Sequence, residues 1–328
     1  MRLLAADIGG TNTRFLSADL RDGSLRIDTE KSYPSTAYAE FQQVLHAFLD
    51  DSGLQGKIDA ACLAVAGPVQ AGVVSVTNLP WVIRETDVQA RLNTPKVKLI
   101  NDFSAVGYGV GALNAADLLV IQEGAQQALH PEAAIIGAGT GLGIAHRVWR
   151  TDHYQVLSSE AGHVGFAPET PQQTALLSWL QQHYAHVSVE MLLSGSGLLL
   201  IYQYLHATSG ITASASIQQA MQQNDPAQVI TQYALTENDA LCQLTLAYFV
   251  EIYGAAAGNA ALYYYPVQEV YIAGGIAQKI KSQMTHGAFT AAFCNKGPLS
   301  ANMKQISIKL ILQEKVGLYG ALAVLREQ

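Results

Sequence analysis

The chain is poor in cysteine and in charge, and both shortages narrow what it can be. Its three cysteines, Cys62, Cys242 and Cys294, are odd in number, far apart and without a CxxC pair. That excludes a disulfide framework and argues against a zinc site, leaving buried free thiols as the expectation. Only 14% of residues are charged, and a net charge of −7 comes with no cluster of Lys or Arg. Surfaces that take nucleic acid or anionic membrane need such clusters to neutralise phosphates, so neither partner is expected. No charged segment followed by an apolar core precedes the first strand, and no apolar run reads as long enough to span a bilayer. A cytoplasmic protein is the expectation. Hydrophobic residues make up 49% of the chain, and 328 residues are many for a single core, so two domains are expected.

What the sequence does have is two glycine-rich turns on one plan. From Leu3 to Arg14 an apolar run reaches Asp7, Gly9 and Gly10 follow, Thr11, Asn12 and Thr13 supply small polar groups, and Phe15-Leu16 turns apolar again. That reads as strand, tight turn, strand. Glycines tolerate positive φ, and hydroxyl, amide and backbone N–H groups beside them can cradle a phosphate. An ordinary hairpin would use the same glycines. Residues Ala134 to Val148 repeat the plan around Gly139, Thr140 and Gly141. The repetition points to a duplicated α/β domain with a nucleotide between its halves. Neither turn is a Walker loop, because no GK[ST] follows. The dinucleotide pattern fails as well, since the glycines at 137, 139 and 141 alternate, Gly143 comes too early and a strand follows.

Between and beyond these turns, Leu25–Ser32 reads as a strand, and Phe41, Val44, Leu45 and Phe48 mark a helix over Ala37–Asp51. Ile58–Ala66 and Val73–Thr77 read as strands. Asn78-Leu79-Pro80-Trp81 is either a loop near a ligand or a packed tryptophan. Val97–Ile100 is a buried strand with Asn101-Asp102 at its carboxyl end and a helix from Phe103 to Leu113 after it. Ligands gather at such strand ends, although an aspartate there also serves as a helix cap. In Ser158–Phe166, Glu160 and His163 stand three apart in a glycine-containing loop, open to readings as surface, as metal ligands or as hydroxyl recognition. A metal would lack a third ligand at useful spacing. Glu190 alone reads as a solvated helix residue. The polar stretch His206–Asn224 reads as an excursion, Leu241–Ala261 as a long apolar helix, and Glu269–Ile276 as a strand ending in Gly274-Gly275. The strand Ile306–Leu312 precedes Gly317–Ala321 and a terminal helix.

Taken together, DIGGTN at 7–12, Asn101-Asp102 after VKLI, GAGTGLG at 137–143, Glu-x-Gly-His at 160–163 and VYIAGGI at 270–276 closely resemble the bacterial glucokinases of the actin-like sugar kinase superfamily. The resemblance covers essentially the whole chain. It implies two α/β domains of duplicated ribonuclease H-like (actin-like ATPase) type with a cleft between them: a small one of residues 1–113 plus 314–328 and a large one of 114–313. It implies ATP-dependent phosphorylation of D-glucose at its 6-hydroxyl, with Asp102 as general base and Asn101 orienting the sugar. Glu160, His163 and Glu190 would grip the sugar. Asp7, Gly9, Gly10, Thr11, Asn12, Gly139, Thr140, Gly141, Gly274 and Gly275 would serve the nucleotide, and Asp7 would organise hydrated Mg²⁺ indirectly. Glucose and ATP are then the partners, and a homodimer stays open. Ser158-Ser159, Ala161 and Ser196 depart from the family's usual residues. Kinases for another hexose, an N-acetylated sugar or a carboxylic acid share the fold, as do non-catalytic sugar sensors. Against a sensor stand the retained Asp102 and the lack of room for a DNA-binding module ahead of Arg2.

Overall fold

The run Leu3–Ala6 is apolar without alternation because the strand it forms is covered on both faces. The computed structural model describes residues 1–125 and 128–326, which divide into two units. One holds Met1–Asn114, Tyr154–Ser158 and the chain from Gln313 onward, and the other holds Ala115–His153 and Ser159–Leu312. The five residues Tyr154–Ser158 thus group with the first unit, whereas the sequence reading set them in the large domain.

The first unit contains β1 (Arg2–Ile8), β2 (Asn12–Arg21), β3 (Ser24–Pro34), β4 (Ala60–Val65), β5 (Val73–Ser75), β6 (Val82–Arg84) and β7 (Val97–Asn101). Five of these form a sheet in the order β3-β2-β1-β4-β7, and β5 pairs with β6 apart from it. On one face Leu4, Ala6, Ile8 and Phe15 pack against α1 (Phe41–Ser52) and α2 (Glu85–Leu92). On the other, Leu3, Ala5, Cys62 and Ala64 meet α3 (Asp102–Gly109) and the C-terminal helix Val316–Arg326. The second face is built of smaller side chains, and the two helices on it touch backbone to backbone. A Cβ added to Gly320 would lie 1.7 Å from the Ala105 carbonyl oxygen, and one added to Gly109 would lie 2.0 Å from that of Val316. The glycines at 317 and 320 therefore lie inside the terminal helix rather than ahead of it, as its contact with α3 requires.

The second sheet contains β8 (Leu118–Gln122), β9 (Ala133–Ala138), β10 (Leu142–Trp149), β11 (Tyr154–Ser159), β12 (Glu269–Ala273) and β13 (Ser307–Ile311), in the order β11-β10-β9-β12-β13-β8, and all of it but Tyr154–Ser158 belongs to the second unit. Strand for strand this repeats the first sheet. An antiparallel pair, β1 with β2 or β9 with β10, is followed by two parallel neighbours, β4 and β7 or β12 and β13. The glycine-rich turns occupy the same place in both sheets. Strand β8, which the sequence reading did not find, adds an antiparallel edge.

Around this sheet lie α4 (Pro171–Leu180), α5 (Val189–Leu192), α6 (Gly195–Thr208), α7 (Ala215–Gln223), α8 (Pro226–Leu235) and α9 (Ala240–Tyr263), with shorter helices beyond. Two expectations are corrected here. The stretch 206–224 is no excursion: α6 runs to Thr208, and α7 is capped by Ser214 and anchored by the fully buried Ile217. Helix α9 does reach membrane-spanning length and apolarity, but 67% of its most apolar window is buried within the fold. Its apolar residues on all sides reflect a core helix, with sheet and helices packed around it. Cys62 and Cys242 are buried free thiols, as expected, while Cys294 is only partly covered.

Candidate active site

In the first unit, the carboxyl ends of three adjacent strands line one edge of the sheet. Ile8 pairs with Val65, and Val65 with Asn101. This edge brings the Gly9–Asn12 turn to the same end as Asn101 and Asp102. The turn is closed by Gly9 N–H on the Asn12 carbonyl at 3.0 Å. Beneath it, the fully buried Ser35 donates its hydroxyl to the Gly9 carbonyl at 2.8 Å and meets the Thr13 hydroxyl at 3.0 Å. Thr11 and Asn12 remain exposed. Asp7, on the strand that feeds the turn, pairs across the ladder with Arg14. Burial pushes the Asp7 carboxyl above the usual carboxylate range, and the Arg14 charge opposes that rise.

At Asn101-Asp102 the capping role falls to Asn101. Its Oδ1 accepts from Phe103 N–H at 2.9 Å and Ser104 N–H at 3.2 Å, and its Nδ2 donates to the Gly67 carbonyl at 3.3 Å. Two of the orphan donors of α3 are thereby satisfied. Asp102 is left as the first helical residue, its Oδ1 accepting from Phe103 N–H at 2.9 Å. The carboxylate sits at the positive end of the helix dipole. Of the Asn78–Trp81 segment, Trp81 is packed, 2% exposed, with its indole N–H on the Tyr38 carbonyl. Asn78, at φ 65°, is the member that abuts the first turn, with its Cβ 3.5 Å from where a Gly10 Cβ would stand.

In the second unit, Glu160, His163 and Glu190 form a chain around one imidazole. His163 Nε2 lies 3.9 Å from Glu160 Oε2, and His163 Nδ1 lies 3.7 Å from Glu190 Oε1. The Glu160 and His163 side chains are well exposed, at 64% and 63%, so solvent or a hydroxylated ligand can reach them. Ala161, where the family often has glycine, opens a short 3-10 turn without a positive φ and costs no strain. Glu190 is no solvated helix residue: its Oε2 accepts from Leu142 N–H at 2.8 Å, at the end of the Gly139–Gly141 turn. Among the described residues, no group of three or more metal-ligating side chains occurs.

The same turn is tied to Gly274-Gly275. Ala273 registers with Gly137, and position 274 requires glycine, because φ is +89° there and a Cβ would stand 2.3 Å from the Ala138 carbonyl oxygen. Tyr253 of α9 links the two turns, its hydroxyl accepting from Ala138 N–H at 3.0 Å and donating to the Ala273 carbonyl at 3.3 Å. Sequence reading missed both Tyr253 and Ser35. Tyr253 is one of three tyrosines in α9 and nothing in the sequence set it apart, nor was there a signal for Ser35.

The chain as a whole matches a known family. The family model described as Glucokinase matches residues 4–328. A glucokinase of Nostoc sp. is 39% identical, with 97% of this chain and 97% of that protein aligned. One from Tolumonas auensis is 34% identical over 100% of this chain and 98% of its own length. Among solved structures, a glucokinase from an Antarctic psychrotroph superposes with a TM-score of 0.84 at 33% identity, covering 100% of this chain and 99% of that one. The glucokinase of Balamuthia mandrillaris in complex with glucose has a TM-score of 0.82 at 22% identity, covering 99% and 93%, and shares the fold. With the family pattern spanning the chain and relatives aligned end to end, the chain belongs to the glucokinase family.

Proposed function

We propose that the chain transfers the γ-phosphoryl group of ATP to the 6-hydroxyl of D-glucose, with Asp102 as the base. The observation that carries this reading is the arrangement at the end of β7. Asn101 caps α3 through Phe103 N–H and Ser104 N–H, and Asp102 follows it as the first helical residue, so amide and carboxylate stand side by side at the strand's carboxyl end. In the reaction the 6-hydroxyl proton passes to Asp102, the O6–phosphorus bond forms, and the bond to the β-phosphate oxygen breaks to release ADP. A loose transition state asks for positioning and charge stabilisation more than for a strong nucleophile. The hydrogen bond from Phe103 fixes the Asp102 carboxylate in orientation, and the second hydrogen on Asn101 Nδ2 can donate to a sugar hydroxyl.

Glu160, His163 and Glu190 would take hydroxyls at the other end of the sugar, and the two glycine-rich turns would hold phosphates through backbone N–H groups. An acidic group on the strand that feeds the first turn suits Mg²⁺, which keeps several waters and binds through one or two carboxylates and the substrate phosphates. Asp7 is that group, and when bound the ion would offset charge on the β- and γ-phosphates. A cytoplasmic setting accords with ATP as donor and with free thiols. The test is a coupled assay with ATP, Mg²⁺ and a panel of hexoses. Glucose 6-phosphate formation with glucose as the preferred acceptor is expected, and no turnover with any hexose would overturn the reading.

A further inference from the structure

Leu142 closes the second glycine-rich turn, and both of its backbone polar groups face residues of the sugar-side segment. Leu142 and Ala138 form a non-hydrogen-bonded pair next to the bonded Gly139 and Gly141, so the Leu142 N–H faces away from β9 and donates to Glu190 Oε2 at 2.8 Å. The Leu142 carbonyl oxygen is approached so closely by Gly162 that a Cβ there would stand 2.4 Å away. Gly141 makes room for the same carboxylate, since its own Cβ would lie 2.6 Å from Glu190 Oε2. A second tie follows five residues on, where Gly195 N–H donates to the Gly139 carbonyl at 3.0 Å. Ser188 caps the short α5 that carries Glu190, with its hydroxyl on Met191 N–H at 3.3 Å. The carboxylate is therefore aimed from a fixed base. Its other oxygen faces His163 Nδ1 at 3.7 Å.

From this we infer that Glu190 is a positioning residue for the nucleotide as well as a partner of the sugar. By holding the Leu142 N–H it sets the shape of the Gly139–Gly141 turn before any sugar arrives. One carboxylate then connects the imidazole of the sugar side to the backbone of the phosphate side, so the two substrates influence each other through it. This inference rests on the reading of Gly139–Gly141 as a phosphate turn.

Two substitutions separate reach from charge. Glu190→Gln loses the charge but keeps an oxygen that can accept from Leu142. Glu190→Asp keeps the charge but falls one methylene short. Binding of a non-hydrolysable ATP analogue with Mg²⁺ is measured by calorimetry without sugar and again at saturating glucose. Without sugar, Glu190→Asp is expected to weaken the analogue about fivefold or more, as loss of a hydrogen bond would, while Glu190→Gln stays within about twofold of wild type. Glu190→Ala, where it folds, should match Glu190→Asp, and both should lessen the effect of glucose on analogue affinity. Wild-type affinity in Glu190→Asp, or an equal loss in Glu190→Asp and Glu190→Gln, would overturn the inference and leave the kinase reading intact. A wild-type protein that binds no analogue would instead overturn that reading.

Discussion

The hydroxyl of Tyr253, buried on α9, accepts the Ala138 N–H at 3.0 Å. This single contact satisfies a backbone donor at the mouth of the Gly139–Gly141 turn, on the strand opposite Leu142. Because the same hydroxyl donates to the Ala273 carbonyl at 3.3 Å, one side chain holds both glycine turns of the second unit in register. Burial raises the phenol well above its ordinary range, so it stays protonated and able to donate.

Tyr253→Phe would leave the Ala138 N–H and the Ala273 carbonyl without that partner. An unsatisfied buried group costs about 1–3 kcal/mol, so a lower denaturation midpoint is expected. The KM for ATP should rise more than that for glucose. A variant with an unchanged ATP KM would show that the turn does not depend on this hydroxyl.

Asp102→Ala should fold and bind glucose weakly, with turnover reduced about 10²- to 10⁴-fold, as removal of a general base costs. The neighbouring residue behaves differently. Asn101→Asp keeps the capping oxygen and hence the stability of α3, but loses the amide donor, so its glucose KM should rise. Asn101→Ala should lose about 1 kcal/mol of stability in addition. Turnover in folded Asp102→Ala equal to wild type would exclude it as the base.

These contrasts follow the line between what the sequence disclosed and what it could not. Strands covered on both faces announce themselves as unbroken apolar runs, and β1, β4, β9 and β12 were legible for that reason. The two glycine turns and Asn101-Asp102 stand at strand ends, where small and polar residues interrupt such runs. Strand β8 lies at a sheet edge and is only partly buried, so its LLVIQ carried no frame of turns around it. Helix α7 buries one residue, Ile217, and its polar composition hid it. Glu190 looked like a surface residue because its partner is a backbone N–H of residue 142, which no pattern of side chains reveals.

For sugar choice, Glu160 and His163 are exposed and close, at 3.9 Å, and both can bond hydroxyls. A site built to bond a hydroxyl rejects an analogue that cannot supply it by about 10⁴-fold in good cases. We expect strong preference for glucose over its 2-epimer mannose, and Glu160→Gln should erode that preference more than it alters ATP binding. The measurement is kcat/KM for both sugars in both proteins, and an unchanged ratio would remove Glu160 from the specificity site.

Cys62 gives a prediction in pH. Burial raises its thiol from 9.0 to about 12, so between those values the unfolded chain ionises while the folded one holds its proton. The folded state then binds more protons, and stability falls as pH rises through this window. At pH 10 the loss from this one group is on the order of 1 kcal/mol relative to neutral pH. Urea titrations at pH 7.5 and pH 10 should therefore show a smaller alkaline loss in Cys62→Ala than in wild type. Equal losses would mean the thiol ionises alike in both states.

The backbone contact of α3 with the C-terminal helix also bears on how the protein is made. Helix α3 begins at Asp102, and its closest neighbours are Val316 and Gly320, far downstream. During synthesis, β7 and its Asn101 cap can form early, yet the helix that packs on α3 at Ala105 and Gly109 is made only after the second unit's residues. Contacts of such long sequence separation form late. A nascent chain can thus complete the Gly9–Asn12 turn while α3 still lacks the helix that packs on it.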